Sequence, residues 1–392
     1  MSFEFCTSPR IVYGRGSFDQ LGSMVAPMGK RAMVVRGGGH LDRSGVMDRL
    51  RRQFEVAGIG IAEHMVRGEP DVSTIDEALE VARSAGCELV VGLGGGSALD
   101  AAKAVAGLLT MGGEALDYME VVGRGQAIDR PAAPLVAVPT TAGTGTEVTR
   151  NAVLAFKEKR FKASMRSPHL IPRVALVDPQ LTDSTPPQVT ASTGLDALTQ
   201  LIEPYVSRGA MPMTDGLSLE GIRRAAGALP RAYADGSDAA ARDDMSLASL
   251  FGGICLANAG LGAVHGFAAP LGAMFPVPHG MACAALLPHV MEANVLALRR
   301  EGSDHPVLAR YATVGRALTG RAYGEDREAI DAGVEFVQAL VRELSIPALS
   351  VFGLGEGDVE GLVASARKAS SMKYNPIELS DEALTRCVRG AL

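Results

Sequence analysis

CELVVGLGGGSALDAAKAVAGLLT, residues 87–110, runs from a buried apolar segment through three consecutive glycines and Ser97 into a helical repeat. An apolar run followed by a glycine turn and a helix is a β–α unit, and similar units lie on both sides of it. RAMVVRGG (31–38) reads as a strand ending in glycines, and SGVMDRLRRQFEVAG (44–58) follows at helical spacing. GIGIAEHMV (58–66), PLVAVPTT (134–141) and RVALVDPQLTDSTPP (173–187) add strand signals, and VSTIDEALEVARSAG (72–86) adds a helix. Short apolar strands alternating with amphipathic helices predict an α/β fold with a parallel sheet covered on both faces.

Beyond about residue 186 the strand signals fade. Helical patterns follow in 187–207, 213–235, 241–260, 305–320 and 327–344. The chain therefore divides into an α/β nucleotide-binding domain, 1–184, and an all-helical domain, 185–392, with the boundary near Pro179–Pro187. Ligand sites in proteins of this kind favour the cleft between domains.

Composition narrows the function. The 392 residues are 47% hydrophobic and 21% charged, which suits a globular chain with a large core. A formal net charge of -6 and the lack of long basic runs argue against a nucleic-acid partner. Five scattered cysteines without a CxxC pair suit a reducing, cytoplasmic compartment. The start, MSFEFCTSPRIVYG, has no apolar signal region, and the apolar stretch 251–291 is interrupted by prolines and histidines, so neither a signal peptide nor a membrane span is predicted.

Two loops are candidates for a cofactor. Gly95, Gly96 and Ser97 bring backbone amides to a helix start, where a pyrophosphate binds well; the plainer reading is a tight turn with Ser97 as N-cap and Asp100 assisting. The spacing departs from GxGxxG, so the usual dinucleotide label fits loosely. PTTAGTGTEVTRNAVL (139–154) offers the hydroxyls of Thr140, Thr141 and Thr144, or alternatively a helix start capped by Thr144 or Thr146.

In the helical half, Asp196 and Gln200 lie four apart, on one helix face. His265 and His279 sit in a stretch, 256–291, with no acidic or basic side chain other than histidine. A buried imidazole or carboxylate there needs a partner. A shared divalent metal would serve, and an Asp/His/His set suits Fe(II), Zn or Mn. His40, His64, His169 and His305 read as surface residues; His289 reads as a backbone partner.

GGGSALDAAK, PTTAGTGTEVT, VDPQLT, GLDALTQLIEPYVS, the glycine-rich segment around His265, and PHGMACAALLPHVMEAN together resemble the iron-containing (group III) alcohol dehydrogenase family over nearly the whole chain. The resemblance implies a dehydroquinate synthase-like fold and a nicotinamide cofactor. It also implies a metal held by positions matching Asp196, Gln200, His265 and His279, of which Asp196, His265 and His279 are the catalytic set. Gly37, Gly95, Gly96, Ser97, Asp100, Thr140, Thr141, Thr144 and Lys162 fall at cofactor positions. The implied reaction is NAD(P)-linked interconversion of a primary alcohol and its aldehyde, by a homodimer.

Three departures stand out. Gln200 replaces a ligand histidine, and Ala269 replaces a histidine associated with proton transfer. After the first strand, Arg36 and Gly37 stand where NAD-preferring members carry an aspartate, so NADP(H) is expected to be accepted and weakly favoured; the alternative is that Arg36 points to solvent. Ala269, with Leu256 and Phe267 nearby, suggests a pocket for a substrate bulkier than ethanol. Two rivals are a nucleotide binder with a degraded metal site, and a lyase related to dehydroquinate synthase. The lyase is disfavoured because basic residues for a phosphorylated acid do not cluster.

Overall fold

A computed structural model describes residues 2–156 and 161–392. The chain forms two compact units. One comprises Cys6–Thr141 with Gly145–Ser184; the other comprises Thr185–Leu392 with Met1–Phe5 and Ala142–Thr144.

Among the described residues the first unit is built on eight strands, β1 (Arg10–Tyr13), β2 (Arg31–Arg36), β3 (Gly60–Met65), β4 (Leu89–Gly94), β5 (Leu135–Pro139), β6 (Asn151–Phe156), β7 (Phe161–Arg166) and β8 (Val174–Val177). Helices α1 (Val46–Ala57), α2 (Val72–Ser84) and α3 (Gly96–Met111) connect them. Six strands form one sheet in the order β1-β8-β5-β4-β2-β3, and every pairing is parallel. The apolar strands are explained by burial on both faces. Met33, Val35 and Val90 enter one core with α2 and α3, while Ala32, Val34, Val91 and Val136 enter another.

Strands β1, β6 and β7 were not among the sequence expectations. β6 and β7 form an antiparallel hairpin. It lies against α3, whose Asp100 Oδ2 accepts the Val153 amide at 3.2 Å. β1 is only four residues long, RIVY, and mostly exposed, so its apolar run is too short to stand out.

The second unit is helical: α4 (Pro187–Val206), α5 (Pro212–Ala234), α6 (Ala239–Ala259), α7 (Ala263–Met274), α8 (His279–Glu301), α9 (Pro306–Thr319), α10 (Asp326–Glu343), α11 (Val359–Ala366) and α12 (Asp381–Gly390). Apolar side chains from these helices share one core. Helix α8 has the length and composition of a membrane span, but 67% of that window is buried within the protein. Its Leu286, Leu287 and Val290 belong to the core, so α8 is apolar because it is central.

Candidate metal and cofactor sites

Helix α4 is buried along almost its whole length, and it carries both Asp196 and Glu203 inward. Asp196 is 1% exposed, and its Oδ1 has no hydrogen-bond partner among the described residues. An unsatisfied buried carboxylate oxygen is costly unless a cation meets it. Two imidazoles converge on that oxygen: His265 Nε2 at 3.4 Å and His279 Nε2 at 3.7 Å. The rings sit 5.4 Å apart, tilted by 53°.

His279 is the first residue of α8. The next residue must be small, because a Cβ on Gly280 would lie 2.6 Å from the Ser192 carbonyl oxygen of α4. That close approach brings the start of α8 against the helix bearing Asp196.

His265 lies in the first turn of α7, whose N-cap, Gly262, offers no side-chain cap. Distant residues take over that role. Glu203 Oε1 accepts the Val264 amide at 2.8 Å, and Asn375 Oδ1 accepts the Ala263 amide at 3.1 Å. The other oxygen of Glu203 accepts the Nδ1–H of His265 at 2.7 Å. This bond fixes the tautomer and leaves Nε2 facing Asp196.

The sequence reading missed two members of this cluster, Glu203 and Cys283. Donor atoms of Asp196, His265, His279 and Cys283 all lie within 4.8 Å of one another. Cys283 Sγ is 3.8 Å from Nε2 of each histidine. Helical spacing offered a signal in both cases: Cys283 follows His279 by one turn, and Glu203 follows Asp196 by two. Gln200 is 2% exposed, and its Oε1 also lacks a hydrogen-bond partner among the described residues.

The fields within the cluster oppose one another. Burial works against a charged Asp196, yet His279, His265 and Cys283 outweigh it and hold the carboxyl below its usual range. Burial likewise works against a protonated His265, but Cys283, Asp196 and Glu203 raise its proton affinity well above the ordinary. The Cys283 thiol is pushed up to about 12 by burial. Donor atoms of the buried Asp196, His265 and Cys283 and of the half-buried His279 thus face a common point, a donor set that fits a divalent transition ion.

In the α/β unit, the cofactor candidates gather at the carboxyl ends of adjacent strands. The Gly37 amide donates to Leu93 O at 2.9 Å, and the Thr140 amide donates to Gly94 O at 2.9 Å. A Cβ on Gly95 would lie 3.3 Å from Thr141 Oγ1. Gly37, Gly95, Gly96, Ser97, Thr140 and Thr141 therefore line one sheet edge, where the strand order departs in both directions from β2 and β4. Open parallel sheets bind ligands at such edges. Gly94 has φ +153°, and a Cβ there would lie 2.8 Å from Ala98 Cβ and 3.0 Å from the Gly37 nitrogen. Glycine at this position lets three backbones meet.

Other sequence candidates lie differently. The N-cap of α3 is Gly95, not Ser97, and no side chain caps it. No helix starts at Thr144; a 3-10 turn, Thr146–Val148, follows Gly145 instead. Thr144 belongs to the helical unit. Lys162 Nζ donates to Glu69 at 2.6 Å. Asp100 faces β6 and Lys103, with its Oδ1 3.6 Å from Nζ.

Three further readings need correction. Arg36 does not point to solvent: it is 8% exposed, with ion pairs to Asp42 at 2.9 Å and Glu63 at 3.2 Å. Its charge is already matched by two carboxylates. Phe267 is wholly buried in the helical core. His64 lies on β3, half-buried, not on the surface. Ala269, one turn beyond His265 on α7, is exposed.

Comparison with known proteins agrees with the geometry. Residues 8–179 match the family model for iron-containing alcohol dehydrogenase, and residues 190–392 match the model for the C-terminal part of the Fe-containing alcohol dehydrogenase family. The chain is 37% identical over 356 residues to long-chain-alcohol dehydrogenase 1 of Geobacillus thermodenitrificans, covering 90% of this chain and 87% of the relative. It is 36% identical over 372 residues to lactaldehyde reductase of Escherichia coli, covering 94% of each. A crystal structure of 1,3-propanediol oxidoreductase superposes with a TM-score of 0.93 at 31% identity, covering all of both chains. With its two halves matched in order by the family's two models, the chain belongs to the iron-containing alcohol dehydrogenase family.

Proposed function

We propose that this protein is a metal-dependent, NAD(P)(H)-linked oxidoreductase that interconverts a primary alcohol and its aldehyde by hydride transfer. The observation that carries this reading is the convergence of Asp196, His265 and His279 from three helices on one buried point. A divalent ion held there, Fe(II) or Zn, supplies Lewis acidity toward the substrate oxygen.

The remaining work falls to the chain's own residues. Amides at Gly96 and Ser97, at the start of the 16-residue α3, are suited to a pyrophosphate, and the Thr140 and Thr141 hydroxyls to the neighbouring polar groups of a nucleotide. Glu203 holds the His265 ring in one orientation and tautomer. Ala269 cannot titrate, so the substrate proton leaves through water or another hydroxyl. Acceptance of NADP(H) rests on Gly37, which places no carboxylate where a 2′-phosphate would lie; Arg36 adds little, because Asp42 and Glu63 already engage it. A homodimer and a cytoplasmic location complete the proposal, the first carried by the family resemblance and the second by the scattered cysteines.

Asp196→Ala tests the reading directly. Metal content measured by elemental analysis and alcohol turnover should both collapse, while nicotinamide cofactor binding by fluorescence titration persists. Unchanged turnover in that variant would remove the metal mechanism.

A further inference from the structure

Gln200 leaves the cluster with a neutral amide where the family resemblance implies an imidazole. A neutral amide oxygen is a weak donor for a transition ion, so the ligand set is one strong donor short. Cys283 stands beside the two histidines. Its side chain is 0% exposed, it follows His279 by one helical turn, and its Sγ faces both histidines at 3.8 Å.

The distances fit a single small ion. A tetrahedral ion with bonds of about 2.0–2.3 Å separates its donors by about 3.3–3.8 Å. Asp196 Oδ1 to His265 Nε2 is 3.4 Å, Asp196 Oδ1 to His279 Nε2 is 3.7 Å, and each histidine lies 3.8 Å from Cys283 Sγ. Four of the six edges of such a tetrahedron therefore stand at the right length, and all donor atoms lie within 4.8 Å of one another. The unsatisfied Oδ1 of Asp196, itself buried, supplies an independent sign that a cation belongs there.

From this geometry we propose that Cys283, as a thiolate, is the fourth protein ligand of the metal, so that the site is Asp/His/His/Cys. On binding, the thiol proton is released to solvent and the sulfur lone pair enters the coordination shell. A thiolate is soft, so the set shifts toward Zn²⁺ relative to a site of imidazoles and carboxylate alone. The inference rests on the metal reading above.

Cobalt(II) reports on the ligand without any turnover. Protein stripped with a chelator under reducing conditions is titrated with Co²⁺ and followed by absorption. The expected result is a strong near-ultraviolet sulfur-to-cobalt charge-transfer band, saturating at one equivalent, together with visible ligand-field bands. Cys283→Ser and Cys283→Ala should lose the charge-transfer band, and zinc affinity, measured by chelator competition, should fall by more than the roughly 10–100-fold typical of an outer-sphere partner. Cobalt bound to the unaltered protein without that band overturns the Cys283 assignment and leaves the metal reading intact. A band that survives in Cys283→Ser places the sulfur elsewhere and also overturns it. If cobalt does not bind the unaltered protein at all, the metal reading itself fails.

Discussion

Glu203 and His265 are joined by a 2.7 Å hydrogen bond from Nδ1–H to Oε2, while the other oxygen of the same carboxylate takes the amide of Val264. One buried side chain thus orients the imidazole and caps the helix that carries it. Glu203→Gln keeps the shape but exchanges one acceptor oxygen for an amide NH₂. The expected result is a metal affinity lower by about 10–100-fold, read by chelator competition, with circular dichroism unchanged. Unaltered affinity would mean that the ring needs no such support.

A second buried charge cluster lies in the α/β unit. Lys103 is 0% exposed; its Nζ donates to Thr149 Oγ1 at 2.6 Å and to Asn151 O at 2.9 Å, with Asp100 nearby. Removing one member of such a group leaves carboxyl groups buried without their cation. Lys103→Met is expected to destabilise the unit by about 3–5 kcal/mol in urea unfolding. Adding Asp100→Asn should recover part of that loss, since the orphaned charge is then absent.

The same cluster gives stability a pH dependence of defined sign. Burial pushes Glu147 up from 4.5 to about 7 and Asp100 up from 3.8 to about 6, with Lys103 only partly offsetting it. Between those ordinary and shifted values the folded protein binds more protons than the unfolded chain. Stability from these groups is therefore fully present below their ordinary values and is lost as pH rises through about 6 to 7. Burial lowers Lys103 to about 8, so above that point the unfolded chain holds the extra proton and the sign reverses. Glu147→Gln should flatten the fall in Tm across the acidic window, measured by scanning calorimetry from acid to neutral pH. An equally steep fall in the variant would show that Glu147 does not titrate as described.

Cofactor choice can be tested at one glycine. A Cβ on Gly37 would meet nothing nearer than the Gly94 Cα at 3.7 Å, so a side chain fits there. Gly37→Asp places a carboxylate at the end of β2, where it accepts from ribose hydroxyls and repels a 2′-phosphate. NADP(H) affinity is expected to fall by about tenfold or more, one like-charge contact costing more than 1.4 kcal/mol, while NAD(H) binding is kept or improved. Fluorescence titration with both cofactors checks this, and parallel losses would point to a general disruption of the turn.

The architecture of the first half was legible because periodicity is local. Parallel strands buried on both faces read as apolar runs, as β2, β4, β5 and β8 do, and glycine turns mark their ends. The hairpin β6–β7 was not read, although β6 (NAVLAF) is nearly all apolar and β7 (FKASMR) alternates apolar and polar residues; each run is only six residues long. Helices α7 and α8 were not read as helices; they lie in the continuous apolar stretch whose prolines and histidines read only as interruptions, though Pro270 and Pro288 sit within the helices.

Residue types and helical spacing were enough to single out Asp196, His265 and His279, and the family resemblance marked Gln200 and Ala269 as departures. What no linear pattern could settle was which other side chains join them. Cys283 looked like one more apolar core residue, Glu203 like a charge in a helix, and Arg36 like a free cation. Contacts made across helices and strands give each of these its role: a sulfur beside two imidazoles, a carboxylate behind one of them, and a guanidinium neutralised by two acids. The physical reason is that desolvation and charge pairing depend on separations of a few ångströms in space, and folding, not distance along the chain, sets those separations.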